Sequence, residues 1–298
     1  MLLAVLLAGA AYWGIERHRY RFVHSDEDLL GLLPDVGATT FFAKVAALRA
    51  GGYLELLAGA KAGQEKEYLA FVREAGFDYS KDLDTLAAEI DADKLLAVLR
   101  GRFDWSRIDR YIAAHGGNCT ADPCRMAASS GRWVSLREVQ PDVMAVAIGP
   151  QSVDSRQIGR RTEETKQAGP PASDAPVWLR PSRAALTNAQ HLPMAFRIFA
   201  ISLQSADGLL LALEPSQANQ TAFTVSLDAS FENQATAETA GHQVTQSTRM
   251  LKLELERDRK ALDPKDLAWL LTAGTFQVQG KHLLGAWPVR KELLAVLQ

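Results

Sequence analysis

The first fifteen residues, Met1 to Ile15, read MLLAVLLAGAAYWGI without one charged side chain, and Glu16-Arg17-His18-Arg19-Tyr20-Arg21 follows at once. A helix packed on the surface of a soluble domain keeps a polar face, and this segment has none. It is shorter than the roughly 20 apolar residues that cross a bilayer without thinning or snorkelling. It reads as the apolar core of a secretory signal, or as a short anchor with Tyr12 and Trp13 at the interface. Ala8-Gly9-Ala10 has the small-x-small form of a cleavage site. Two features oppose export. No Lys or Arg precedes the run, and the arginines behind it favour keeping the following chain on the cytoplasmic side. The competing assignment is a buried amino-terminal helix of a soluble domain. The expectation is a signal peptide or membrane anchor over 1–22. It places the remainder outside the cytoplasm, in the cell envelope, anchored in the inner membrane or secreted.

The chain has 298 residues, enough for about two units at roughly 150 residues each. Charged residues make up 23% and hydrophobic ones 47%, a balance that excludes general disorder and a multi-span membrane protein. Thirty-three Lys and Arg against 35 Asp and Glu leave a net charge of -2, so there is no basic field to hold nucleic acid.

Only Cys119 and Cys124 carry sulfhydryl chemistry, in Gly116-Gly117-Asn118-Cys119-Thr120-Ala121-Asp122-Pro123-Cys124. Gly, Asn, Asp and Pro mark a loop or hairpin connection. A pair this close closes a small ring in an oxidising compartment if its Cα atoms approach within about 7 Å. Free thiols are the alternative. A zinc site needs about four ligands and only His115 lies near in sequence; a redox site lacks the C-x-x-C spacing. The expected state is a disulfide, with no metal and no cofactor.

Periodicity gives an α+β chain: two mixed modules of largely antiparallel sheet with packed helices, behind an N-terminal hydrophobic helix. The first module covers 33–168. It begins with a strand over Thr39–Val45 and helices over Ala46–Ala60 and Glu65–Ala75. A third helix is expected from an N-cap at Ser80, with Asp82 and Asp84 at its positive end, to Ile90. A buried strand at Leu95–Leu99, a helix at Arg107–His115 and antiparallel strands through Arg125–Gly149 complete it. Ser152–Gln167 is polar, a candidate surface helix. Gly169–Pro176 is the linker. The second module covers 177–298. A strand at Val177–Leu179 precedes helical residues from Ala184 to Leu203, broken near Pro193. Strands at Gly208–Leu213 and Thr221–Leu227 lead to a helix carrying Ala237, Ala240, Val244, Ser247, Leu251 and Leu255 on one face. Asp263-Pro264 opens a further helix. A hairpin through Phe276–Val278 and Leu283–Trp287 and a short helix Arg290–Leu297 close the chain. Ala46-Ala47-Leu48 recurs as Ala184-Ala185-Leu186, and Ala92–Leu99 resembles Ala206–Leu213, a hint of two related modules.

No nucleophile elbow, zinc helix, phosphate loop or dinucleotide fingerprint occurs. The histidines at 18, 24, 115, 191, 242 and 282 are scattered, with His115 suited to a helix C-terminus. The acidic groups at Asp26-Glu27-Asp28 and at Asp82, Asp84, Glu89, Asp91 and Asp93 read as solvated faces or helix N-termini. Arg156, Arg160 and Arg161 are offset by Glu163 and Glu164. Trp105, Trp133, Trp178, Trp269 and Trp287 sit in apolar patterns and read as core.

Leu33-Pro34-Asp35, a strand running into Ala46-Ala47-Leu48-Arg49, Gly76-Phe77-Asp78-Tyr79, Phe103-Asp104-Trp105, Gly116-Gly117-Asn118-Cys119 and a closing Gly285-Ala286-Trp287-Pro288 follow one another along the chain. This succession resembles that of uncharacterised, signal-anchored bacterial cell-envelope proteins. The resemblance implies an extracytoplasmic α+β protein and transfers no catalytic residue. The functional expectation is an envelope-associated binding or scaffold protein without enzymatic activity. Its partners would be the membrane, through the N-terminal segment, and another protein, with no nucleic acid. The alternatives are a hydrolase with a site assembled from distant residues, and a carrier of a hydrophobic ligand.

Overall fold

The computed structural model describes residues 23–34, 37–58, 66–128, 131–159, 173–187, 194–216, 221–257, 267–290 and 293. The expected anchor over 1–22, the first part of the linker (169–172) and nearly all of the closing helix after Arg290 lie outside them. Among the described residues no helix is long and apolar enough to cross a membrane.

The first half opens with a short helix, α1 (Asp26–Leu30), held by a capping box in which Ser25 and Asp28 satisfy each other's backbone. Strand β1 (Thr39–Ala43) leads to helices α2 (Val45–Ala50) and α3 (Leu54–Ala58), separated at Gly51-Gly52, then α4 (Lys66–Ala75) and α5 (Tyr79–Asp82). Strands β2 (Leu83–Ile90) and β3 (Leu95–Gly101) follow, then α6 (Trp105–Ala114), β4 (Cys124–Ala127), β5 (Trp133–Gln140) and β6 (Val143–Gly149). The second half runs β7 (Val177–Arg180), α7 (Arg183–Thr187), α8 (Met194–Ser202), β8 (Gly208–Pro215) and β9 (Thr221–Ser230). It ends with α9 (Gln234–Arg257), α10 (Leu267–Thr272), β10 (Thr275–Gln279) and β11 (His282–Arg290). The α+β class with its largely antiparallel sheet is therefore as the sequence predicts.

The eleven strands among the described residues form one sheet in the order β10-β11-β9-β8-β7-β1-β2-β3-β6-β5-β4, and each of their pairings is antiparallel. The halves join at its centre, where β1 pairs with β7 and Phe42 stacks on Trp178 at 5.3 Å between ring centroids. Each half traces the same path outward: a first strand, helices, a hairpin beside that strand, another helix, then a second hairpin whose last strand returns to the first (β6 to β3, β11 to β9). The matching Ala-Ala-Leu segments occupy equivalent places, at the start of α2 and within α7. The other resemblance is out of place: Ala92–Leu99 leads into the third strand of its half and Ala206–Leu213 into the second.

Side-chain alternation sorts the core onto two faces. Phe42, Ala87, Val98, Ala145 and Trp178 lie on one face beneath Leu29, Leu33, Val153 and Ile158. On the opposite face, Leu209, Leu227, Leu283 and Trp287 pack with Phe199, Ala237, Ala240 and Val244 from α8 and α9.

The expected helix from Ser80 to Ile90 is corrected. The N-cap is Asp78, whose side chain accepts from the Ser80 amide, and the helix ends after one turn. Leu83–Ile90 is instead a strand between β1 and β3. Its Ala, Leu and Glu favour a helix locally, but pairing on both edges and burial of Leu83, Ala87 and Ala88 outweigh that preference. Within Ser152–Gln167 the described part forms a single 3-10 turn, Ser155–Gln157.

Candidate functional site

Cys119 and Cys124 form a disulfide, with Cα atoms 4.1 Å apart. The local sequence builds its loop from both sides. Helix α6 starts at Asp104, whose side chain accepts from the Arg107 amide, and buries Ile108 and Ile112 on one face. It stops at Gly116-Gly117, where the Gly117 amide donates back to the Ile112 carbonyl at 2.8 Å. A side chain at Gly117 would stand 2.8 Å from the Arg125 carbonyl, so this close return of the chain needs glycine. Asn118 and Arg125 then exchange two backbone hydrogen bonds at 2.8 and 2.9 Å, and the disulfide closes the ring beyond them.

Between this ring, α6 and the far end of β5 lies a concave groove of about 570 Å³. Ile108, Ile112, Leu136 and the disulfide make its floor, and Trp105 and Pro141 one wall. The Trp105 indole donates to the Pro141 carbonyl at 3.0 Å, fixing the ring. Three exposed carboxylates stand around it: Asp109 on α6, Asp122 in the ring and Glu138 on β5. The lining cation, Arg137, donates Nη2 to the Ile158 carbonyl at 2.8 Å on the opposite sheet face. Arg156, within electrostatic range of Asp122, is bound by Asp154 at 2.6 Å. The groove therefore carries an acidic rim over an apolar floor. Beside it, β4 pairs with β5 only as far as Leu136, and among the described residues no strand covers Arg137–Gln140 on that edge.

The other sequence candidates disperse. His115 caps α6, with Nδ1 2.8 Å from the Tyr111 carbonyl and Nε2 3.8 Å from Glu74. His282 meets Asp228 at 2.8 Å on the other half of the sheet. His18 and His191 lie outside the described residues, as do Arg160 and Arg161. The acidic groups bind the scaffold: Asp26 to Lys44 and Arg100, Asp82 to Arg102, Asp84 to Arg49. Asp78 is held most firmly. Burial pushes its carboxyl up, but hydrogen bonds from Ser80, Lys81 and Tyr68 outweigh burial and bring it down to about 2.

The expectation that Trp105 is a core residue holds in part, since it packs at the edge of the cluster of Ile108, Ile112 and Met144. It is half-buried and forms a wall of the groove, whereas Trp178 is 1% exposed and Trp287 8%. Asp109, Asp122 and Glu138 were not recognisable as a set. One signal existed: Trp105 and Asp109 are four apart and so neighbours on α6, at the edge of the face that carries Ile108 and Ile112.

No protein-family model and no curated protein matches the chain. A solved structure, crystal form I of TP0453, is similar at 12% identity and a TM-score of 0.44, over 90% of this chain and 95% of that one.

Proposed function

We propose that the protein is an extracytoplasmic binding module of the cell envelope whose ligand is cationic, a Lys- or Arg-rich segment of another protein seated in the groove beside the disulfide ring. The observation carrying this is the rim of Asp109, Asp122 and Glu138 around Trp105, with the nearby arginines engaged elsewhere. A cation over the indole and between carboxylates gains electrostatic attraction from both. The uncovered β5 edge supports an extended ligand, since free strand edges accept peptide backbones. The disulfide supports the compartment, because such bonds persist where the surroundings oxidise. The acidic rim disfavours a carrier of purely apolar ligands.

Titration calorimetry of the oxidised full chain with tetralysine and tetraglutamate tests this. Tetralysine is expected to bind and tetraglutamate not. The triple variant Asp109→Asn/Asp122→Asn/Glu138→Gln should weaken binding by roughly tenfold, the sum of three partly exposed charge contacts. Equal binding of both peptides, or an unchanged triple variant, would overturn the proposal.

A further inference from the structure

Asp109 stands against the disulfide in a way that the oxidised protein does not use. Its Oδ1 lies 3.5 Å from Cys124 Sγ. A disulfide sulfur has no proton to donate, so that contact is not a hydrogen bond in this state. The Asp109 carboxylate and both Sγ atoms lie within 4.8 Å of one another. Among the described residues Asp109 makes no ion pair, and it is exposed to the groove.

Two thiolates and a carboxylate are a ligand set for a thiophilic divalent ion such as zinc. With zinc–sulfur bonds of about 2.3 Å and zinc–oxygen bonds of about 2.1 Å, adjacent S and O ligands of a tetrahedral ion stand about 3.6 Å apart. That is close to the separation already present between Asp109 and Cys124. The sulfurs have to separate from bonding distance to about 3.8 Å. Both belong to a short loop whose base is pinned by the Asn118–Arg125 bridge, so the movement is confined to the ring. A fourth position is left to water or to a donor from a ligand, as at other zinc sites with three protein ligands.

We propose that reduction of Cys119–Cys124 converts the ring into a binding site for a zinc-class ion, held by Cys119, Cys124 and Asp109. The balance is simple: two equivalents of a thiol reductant, or one phosphine and water, deliver two electrons and two protons to the disulfide. The thiols then release those protons as the metal binds. A small-molecule disulfide takes the two electrons back by thiol–disulfide exchange, becoming two thiols as the Cys119–Cys124 bond re-forms and the ion is expelled. The site shares Asp109 with the rim of the proposed peptide groove but needs neither Trp105 nor Glu138, and its test reads the metal without any peptide.

The test uses the purified full chain, reduced with a phosphine, and Co2+ as a spectroscopic stand-in for zinc. Reduced protein should show sulfur-to-cobalt charge transfer in the near ultraviolet and tetrahedral visible bands, both bleached by zinc. Oxidised protein should show neither. Cys119→Ser and Cys124→Ser should each abolish the charge-transfer band at unchanged far-ultraviolet circular dichroism. Asp109→Asn, which keeps both thiols, should weaken Co2+ binding by at least the roughly tenfold that even an outer partner contributes to a metal site. Absence of charge transfer in the reduced wild type overturns the proposal. Equal binding by the oxidised protein, or unaltered affinity in Asp109→Asn, overturns it equally.

Discussion

At the scale of single residues, the strongest dependence falls on Trp178 and Asp78. Trp178 is 1% exposed and stacks on Phe42 across the central β1–β7 seam. Trp178→Ala is expected to cost about 3–5 kcal/mol, read from urea unfolding at constant m. A loss below about 1 kcal/mol would mean that the seam is not packed as described. Asp78 sets a pH dependence. Its folded pKa of about 2 lies below the unfolded value of about 4, so its stabilisation is complete above that value. The stabilisation is lost as pH falls from about 4 towards 2. Asp78→Asn should lower stability at neutral pH and flatten the acid limb in that window. Tyr68→Phe, which removes the hydroxyl at 2.9 Å from Oδ1, should raise the Asp78 pKa when followed by NMR. An unmoved titration would remove Tyr68 from the network.

At the scale of elements, the sequence was most legible where periodicity and punctuation agreed. Ile108 and Ile112 between Asp104 and Gly116 specify α6, and Ala237, Ala240 and Val244 specify the buried stripe of α9. Leu83–Ile90 reads as a helix because its residues favour one, and only its two strand neighbours, distant in sequence, decide otherwise. The groove was illegible for a related reason. Asp109, Asp122 and Glu138 are ordinary exposed acids singly, and become a set only when α6, the ring and β5 converge. Helix α9 offers a sharp test of packing. A Cβ at Gly241 would meet Val278 Cγ2 at 2.8 Å, so Gly241→Ala trades a helix-propensity gain of about 1 kcal/mol against overpacking of about 1–3. The expected outcome is net destabilisation; a clear stabilisation would show that α9 stands off from β10. Removing the ring by Cys119→Ser/Cys124→Ser should cost about 2 kcal/mol, the loop-entropy value for so short a closure.

At the scale of the whole molecule, the two halves repeat one topology and meet edge to edge, so that β1 and β7 are interior strands only because both halves are present. Neither half then ends in a free central edge, a known route to aggregation. The outer end of the first half differs from that of the second by an extra strand, β4, and it is the shortness of β4 that leaves the groove and the β5 edge open. The two halves are thus alike in scaffold and unlike in surface, and the proposed binding groove lies at one extremity of the sheet. Amide hydrogen exchange of the oxidised full chain, with and without tetralysine, tests that placement most directly. Protection is expected in 105–109, 119–124 and 136–141. Protection confined to the second half, or none anywhere at a saturating concentration, would contradict it.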